Sequence, residues 1–200
     1  MKKYIPISLI VFRLILAPTI LLLVYYLRDK SRILVLILMY LGLISDILDG
    51  IIARRLHVSS SNLRRFDSQT DMIFWLSIGI STWILYPNLI QCNLISISII
   101  LILEVLCYII SIIKFRKETC THAFLSKMWG LTLLVAFTSL LGFNHAGFPF
   151  ILAIILGVIS HIDRILITLI LPSWTHDIPS FYHAYLIRKG LNFKRNSLFN

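Results

Sequence analysis

The sequence predicts an all-α integral membrane protein of six transmembrane helices, with a cytosol-facing polar site between the second and third. Three observations predict it. Of 200 residues, 58% are hydrophobic and only 14% charged, with a mean hydropathy of +0.87; a soluble domain of this length needs more polar surface. Apolar runs near 5–27, 32–55, 66–86, 89–113, 124–143 and 148–171 each approach the about 20 residues that cross a bilayer, and they are too long and too even for the alternating strands of a membrane barrel. Four of the chain's 9 acidic residues, Asp46, Asp49, Asp67 and Asp71, gather between the second and third runs.

Met1-Lys2-Lys3 and the apolar residues after it have the look of a signal peptide. The run continues to about Leu27, carries Arg13 and lacks a small-residue cleavage site, so it reads as a retained first span. Arg13, near the start of that span, reads as snorkelling to the interface. Lys2 and Lys3, then Arg54, Arg55, Arg64 and Arg65, then Lys114, Arg116 and Lys117, and finally the basic tail, all fall on one side if six spans alternate. The connections at 87–93 and 144–147 carry no Lys or Arg. The positive-inside rule therefore makes both termini and the acidic segment cytosolic. Arg28-Asp29-Lys30-Ser31-Arg32 departs from this pattern.

Glu104 in the fourth span and Asp163-Arg164 in the sixth are ionisable groups at membrane depth, and they fit a cavity lining or an interhelical ion pair equally well. Residues 1–171 read as one six-helix domain. Residues 172–200 read as an interfacial tail, with Trp174, Phe181, Tyr182 and Tyr185 at headgroup level and Arg188, Lys189, Lys194 and Arg195 facing anionic lipid. There is no internal repeat, low-complexity tract or second domain. The net charge of +10 is scattered among the spans, which argues against nucleic acid and for lipid headgroups and phosphate-bearing substrates. Cys92, Cys107 and Cys120 have neither metal nor disulfide spacing and read as packing residues. His57, His145, His161, His176 and His183 show no HxxxH pair or face shared with acids, so zinc is not expected. Phe74 and Trp75 read as packing or lipid-facing.

The acidic segment carries the chemistry. Residues three and four apart are neighbours on a helix, so Asp46, Asp49, Gly50 and Ala53 share a stripe, with Arg54 one turn beyond Gly50. Asp67 and Asp71 share a face of the next helix. A helical hairpin can thus aim four carboxylates at one point, and their mutual repulsion calls for cations with oxygen preference, Mg²⁺ or Mn²⁺. Gly50 and Ala53 allow a ligand close to the backbone, and Arg54 offers a fork for phosphate. The plainer alternative is an ion-pair network with Arg54, Arg64 and Arg65, which is costly in lipid. Arg116 and Lys127 are weaker candidates for an acceptor's phosphate. Positive-inside placement already explains Arg116, whereas Lys127 starts the fifth span, where a helix N-terminus favours anions.

The spacing Asp46-x2-Asp49-Gly50-x2-Ala53-Arg54 followed by Asp67-x3-Asp71 resembles the signature of the CDP-alcohol phosphotransferase (CDP-alcohol phosphatidyltransferase) family. The chain length, the six spans and a first span with Ile5-Pro6 and Arg13 are similar as well. The family's second motif glycine falls at Leu63 here, and Ser68 stands where many members have proline, which marks a divergent member. The resemblance implies a transferase of phospholipid biosynthesis in a bacterial inner (cytoplasmic) membrane. It would move a phosphatidyl group from CDP-diacylglycerol to an alcohol, with release of CMP. Glycerol 3-phosphate, giving phosphatidylglycerophosphate, is the commonest acceptor among members of this size. The resemblance further implies two metal ions on Asp46, Asp49, Asp67 and Asp71, with Asp71 as the base that takes the acceptor's proton. It places Gly50, Ala53 and Arg54 at the donor nucleotide and diphosphate, and it implies a homodimer. Two other readings stay open: an intramembrane prenyltransferase, which needs a second acidic motif, and a catalytically silent membrane protein that keeps the cluster for metal or lipid binding.

Overall fold

The computed structural model describes residues 4–56, 58, 60–121 and 123–191. Lys2, Lys3, His57, Lys194 and Arg195 lie outside the described residues. The described chain forms α1 (Ile5–Leu27), a 3-10 turn (Arg28–Ser31), α2 (Arg32–Arg55), α3 (Ser61–Leu85), α4 (Pro87–Cys92), α5 (Leu94–Phe115), α6 (Phe124–Phe143), α7 (Phe148–Ile170) and α8 (Phe181–Arg188), with no strand among the described residues. Among the described residues four stretches are long and apolar enough to cross a membrane: Ile5–Arg55, which contains both α1 and α2, Leu94–Phe115, Phe124–Phe143 and Phe148–Ile170. Helix α3 is not among them, because its first half carries Arg64, Arg65, Asp67 and Asp71 and its second half is diluted by Ser77, Ser81 and Thr82.

The chain divides into two compact units. One comprises Met1–Cys92 and Ala136–Ala146, the other Asn93–Val135 and Gly147–Asn200.

In the first unit α1 packs against both α2 and α3. Its buried stripe is Pro6, Ile10, Arg13, Ala17, Ile20 and Val24, a helical 3–4 spacing that carries an arginine among apolar residues. Helix α2 answers with Val35, Met39, Gly42, Ser45, Asp49 and Ala53. Ser45 donates to the Leu9 carbonyl at 2.9 Å and ties the two helices. Gly42 is where α2 meets α3: a Cβ there would run into the ring of Phe74, a core residue only 1% exposed. Trp75 stacks on Phe137 at 6.0 Å, so both aromatics pack. Gly42→Ala is expected to cost about 1–3 kcal/mol by overpacking, read as a lower thermal midpoint in detergent. Gly79→Ala, with nothing within 4 Å of the added methyl, is expected to be neutral or stabilising.

At the other end of this unit Arg32 donates to the carbonyls of Leu141 and Gly142, both at 3.4 Å, and lies over the Tyr86 ring at 5.5 Å. A cation on the last carbonyls of a helix satisfies acceptors that the helix leaves open. This gives Arg32, one of the residues that break the charge pattern, a local role.

In the second unit α5 packs on α7, and α8 packs on α7 in turn. Gly157 lets α7 sit under two side chains: a Cβ there would lie 2.7 Å from both Ile100 Cδ1 and Trp129 Nε1. Lys114 Nζ donates to the Thr168 and Leu169 carbonyls at 3.1 and 2.6 Å and closes the C-terminal end of α7. Asp163 Oδ1 accepts the Phe181 N–H at 3.0 Å at the start of α8. Ile178 and Ala184 join Ala123, Ile167 and Leu171 in a small core, while Phe181, Tyr182 and Tyr185 remain exposed. Cys107 and Cys120 are buried and Cys92 is exposed, and none of the three is in a disulfide.

Candidate functional site

Helix α2 delivers Asp46, Asp49, Gly50, Ala53 and Arg54 in its last turns. It closes with Leu56 N–H on the Ile52 carbonyl at 2.9 Å and Val58 N–H on the Ala53 carbonyl at 3.1 Å. Helix α3 begins at once, because the Ser60 hydroxyl accepts the Leu63 N–H at 3.2 Å as an N-cap. That cap starts α3 five residues ahead of the apolar run and sets Arg64, Asp67 and Asp71 on successive turns facing α2.

Carboxylate oxygens of Asp46, Asp49 and Asp67 all lie within 4.8 Å of one another. Asp71 stands just outside that trio, yet a single side chain links all four. Arg13 reaches Asp46 Oδ1 through Nη1 at 2.6 Å, Asp49 Oδ2 through Nη2 at 3.3 Å and Asp71 Oδ1 through Nε at 3.0 Å, and it donates from Nη2 to Asp67 Oδ1. Arg13 is 1% exposed. This corrects the snorkelling expectation: Arg13 lies on the buried stripe of α1, and four carboxylates compensate its desolvation. An ion-pair network is thus present at the cluster, and the arginine at its centre is Arg13, which the alternative built on Arg54, Arg64 and Arg65 did not name. Arg64 is buried beside it and acts electrostatically on Asp49. Asp49 and Asp67 are buried, whereas the side chains of Asp46 and Asp71 are 36% and 32% exposed.

Two recesses flank the cluster. One is walled by Asp49, Gly50, Ala53, Leu63, Arg64 and Asp67 together with Pro6 and Ile10. The other is walled by Arg13, Gly42, Leu43, Asp46, Asp71, Phe74 and Trp75. Leu63 thus stands in the wall beside Gly50 and Ala53. Arg54 folds back along its own helix, with Nη1 3.8 Å from where a Gly50 Cβ would be. Three carboxylates from two helices form an all-oxygen donor set, and buried Asp49 Oδ2 has no aligned hydrogen bond. That set fits a hard divalent cation.

The remaining sequence candidates lie in the second unit. Arg116 and Lys127 are exposed there. Glu104 and Arg164 form the interhelical pair, at 2.6 Å from Nη1 to Oε2 and 3.2 Å from Nη2 to Oε1. His161 joins them, with Nε2 2.7 Å from Glu104 Oε2 and Nδ1 2.6 Å from the Gly157 carbonyl. This corrects the reading of His161 as sharing no face with an acid: its partner comes from another helix, which spacing within one helix does not show. Asp163 belongs to the α8 contact instead. Arg13 is the site residue that sequence reasoning missed. The signal was present in the 3–4–3 spacing of Ile10, Arg13, Ala17 and Ile20.

The sequence model of the CDP-alcohol phosphatidyltransferase family matches residues 3–170. The chain belongs to this family. The activity of CDP-alcohol phosphatidyltransferases is phosphatidyl transfer from a CDP-alcohol to an acceptor, a membrane step of phospholipid synthesis. The matched segment of this family member contains the whole aspartate cluster, Arg13 and both recesses. No curated protein and no solved structure matches the chain.

Proposed function

We propose that this CDP-alcohol phosphatidyltransferase moves a phosphatidyl group from CDP-diacylglycerol to glycerol 3-phosphate, releasing CMP and forming phosphatidylglycerophosphate. The observation that carries the reading is the convergence of Asp46, Asp49 and Asp67 from two helices, with Asp71 beside them. In the reaction the acceptor's hydroxyl oxygen bonds to the lipid-side phosphorus, the bond from that phosphorus to the CMP oxygen breaks, and CMP leaves with the electron pair. Asp71, at the exposed edge of the cluster, takes the hydroxyl proton. Asp46, Asp49, Asp67 and Asp71 would hold two Mg²⁺ or Mn²⁺ ions, which would supply positive charge to the diphosphate and to the departing CMP. Gly50 and Ala53 leave room for the nucleotide against the backbone, and Arg54 pairs with phosphate oxygens. Arg116 and Lys127 are assigned to the acceptor's phosphate.

The same proposal takes α1, α2, α3, α5, α6 and α7 as six crossings, with both termini and the acidic site in the cytosol and the donor's acyl chains left in lipid. It places the chain in a bacterial inner membrane, treats 1–171 as the transferase domain and 172–200 as an interfacial tail, and pairs two copies as a homodimer. A prenyltransferase is disfavoured because Glu104 and Asp163, the acids of the later helices, are engaged by Arg164, His161 and Phe181.

The test is CMP release by the purified protein from CDP-diacylglycerol. Release that needs both an alcohol acceptor and Mg²⁺ or Mn²⁺ supports the reading. Tight Mn²⁺ binding with no turnover of any CDP-linked donor supports the silent alternative. Leu63 gives a sharper expectation: its side chain narrows the recess beside Gly50 and Ala53, so Leu63→Gly is expected to lower KM for CDP-diacylglycerol about tenfold, the scale of a few buried methyl groups, with kcat little changed.

A further inference from the structure

We propose that Arg13 is a built-in counterion of the aspartate cluster that competes with divalent cations, so that metal enters as the guanidinium lets go. The inference rests on the reading that the cluster binds metal. Arg13 reaches one oxygen of each of the four carboxylates, and these are the oxygens a cation needs. Four carboxylates this close repel one another. One guanidinium offsets a single charge of the four and so keeps the helices together without saturating the site.

The geometry also shows why the guanidinium gives way. Only the contact to Asp67 is an aligned hydrogen bond. Nε and Nη1 lie at ion-pair distance from Asp71 and Asp46 with no hydrogen-bond alignment, and the same holds for Asp49 Oδ2. A guanidinium donates only in its own plane, and four carboxylates from two helices, Asp46 and Asp49 of α2 and Asp67 and Asp71 of α3, do not all meet that plane in alignment. A divalent cation has no such directional demand and carries twice the charge. The Arg13 side chain also lines the recess of Asp46, Asp71, Phe74 and Trp75, on the side where the Asp46 and Asp71 carboxylates are part-exposed.

The test measures Mn²⁺ binding to the full chain in detergent, counting free Mn²⁺ by electron paramagnetic resonance, and thermal midpoints with EDTA or with Mn²⁺. Arg13→Met keeps the length of the side chain and removes the charge. It is expected to bind Mn²⁺ about tenfold tighter, within the usual range for coupled sites. Its midpoint is expected to fall in EDTA and to recover with Mn²⁺. Arg13→Lys keeps the charge on one ammonium that cannot reach four carboxylates, so its Mn²⁺ affinity is expected between the two; it carries the test if Arg13→Met does not fold. Unchanged or weaker Mn²⁺ binding in the variants, such as the 10–100-fold loss typical of a group that supports metal ligands, overturns the counterion role alone. Failure of the native chain to bind Mn²⁺ overturns this role and the metal reading together.

Discussion

Asp71→Asn is expected to lower CMP release by about 10²–10⁴-fold, the usual contribution of a positioned general base, while Mn²⁺ binding changes only a few-fold. Asp71 lies outside the trio of Asp46, Asp49 and Asp67 and keeps a 32% exposed side chain, with Arg13 Nε 3.0 Å from its Oδ1. Asparagine preserves the shape and the oxygen facing Arg13, but it cannot take a proton from the acceptor. The measurement is single-turnover CMP release at saturating acceptor, alongside Mn²⁺ binding by the same preparation. Parallel loss of metal and rate would mean that Asp71 acts through the ions it helps to hold and would leave it no separate part in the proton transfer. A rate within a few-fold of native would remove it from the proton transfer.

Glu104→Ala is expected to destabilise the second unit by about 1–3 kcal/mol, the range for leaving partly buried polar groups without their hydrogen-bond partner. Glu104, on α5, is the shared acceptor of Arg164 and of His161 Nε2, both on α7, so its loss takes this acceptor from an arginine and an imidazole nitrogen on successive positions of one helix face. Glu104→Gln keeps one oxygen acceptor and is expected to cost less. The thermal midpoint in detergent reads the loss, and the indole emission of Trp129, whose ring meets His161 edge-on at 4.7 Å, reads the local rearrangement. A midpoint unchanged in Glu104→Ala would mean that the pair contributes specificity without stability.

Much of the helical frame was legible in the sequence, because long apolar runs report helices directly. The runs at 5–27, 32–55, 124–143 and 148–171 agree with α1, α2, α6 and α7 to within a residue. The start of α3 was not, since Ser60 caps a polar turn that carries no hydropathy signal. The convergence of Asp46, Asp49 and Asp67 followed from i, i+3 and i, i+4 geometry along two adjacent helices. The place of Arg13 did not follow in the same way. Its own spacing put it on a buried stripe, but which residues that stripe meets depends on how α1 packs against α2 and α3, and periodicity within one helix does not contain that information. The same limit hid the pairing of His161 with Glu104. Charge counting had a different limit: Lys114 and Arg32 were weighed as topology signals, and both also close helix C-termini, a contact that depends on three-dimensional neighbours.

The most direct measurement incubates the purified protein with CDP-diacylglycerol, Mg²⁺ and isotope-labelled glycerol 3-phosphate, and follows CMP and the lipid product by mass spectrometry. The account predicts labelled phosphatidylglycerophosphate and CMP in equal amounts, with both abolished by EDTA. CMP formed without incorporation of the label, or no CMP with this or any other alcohol acceptor, would contradict it.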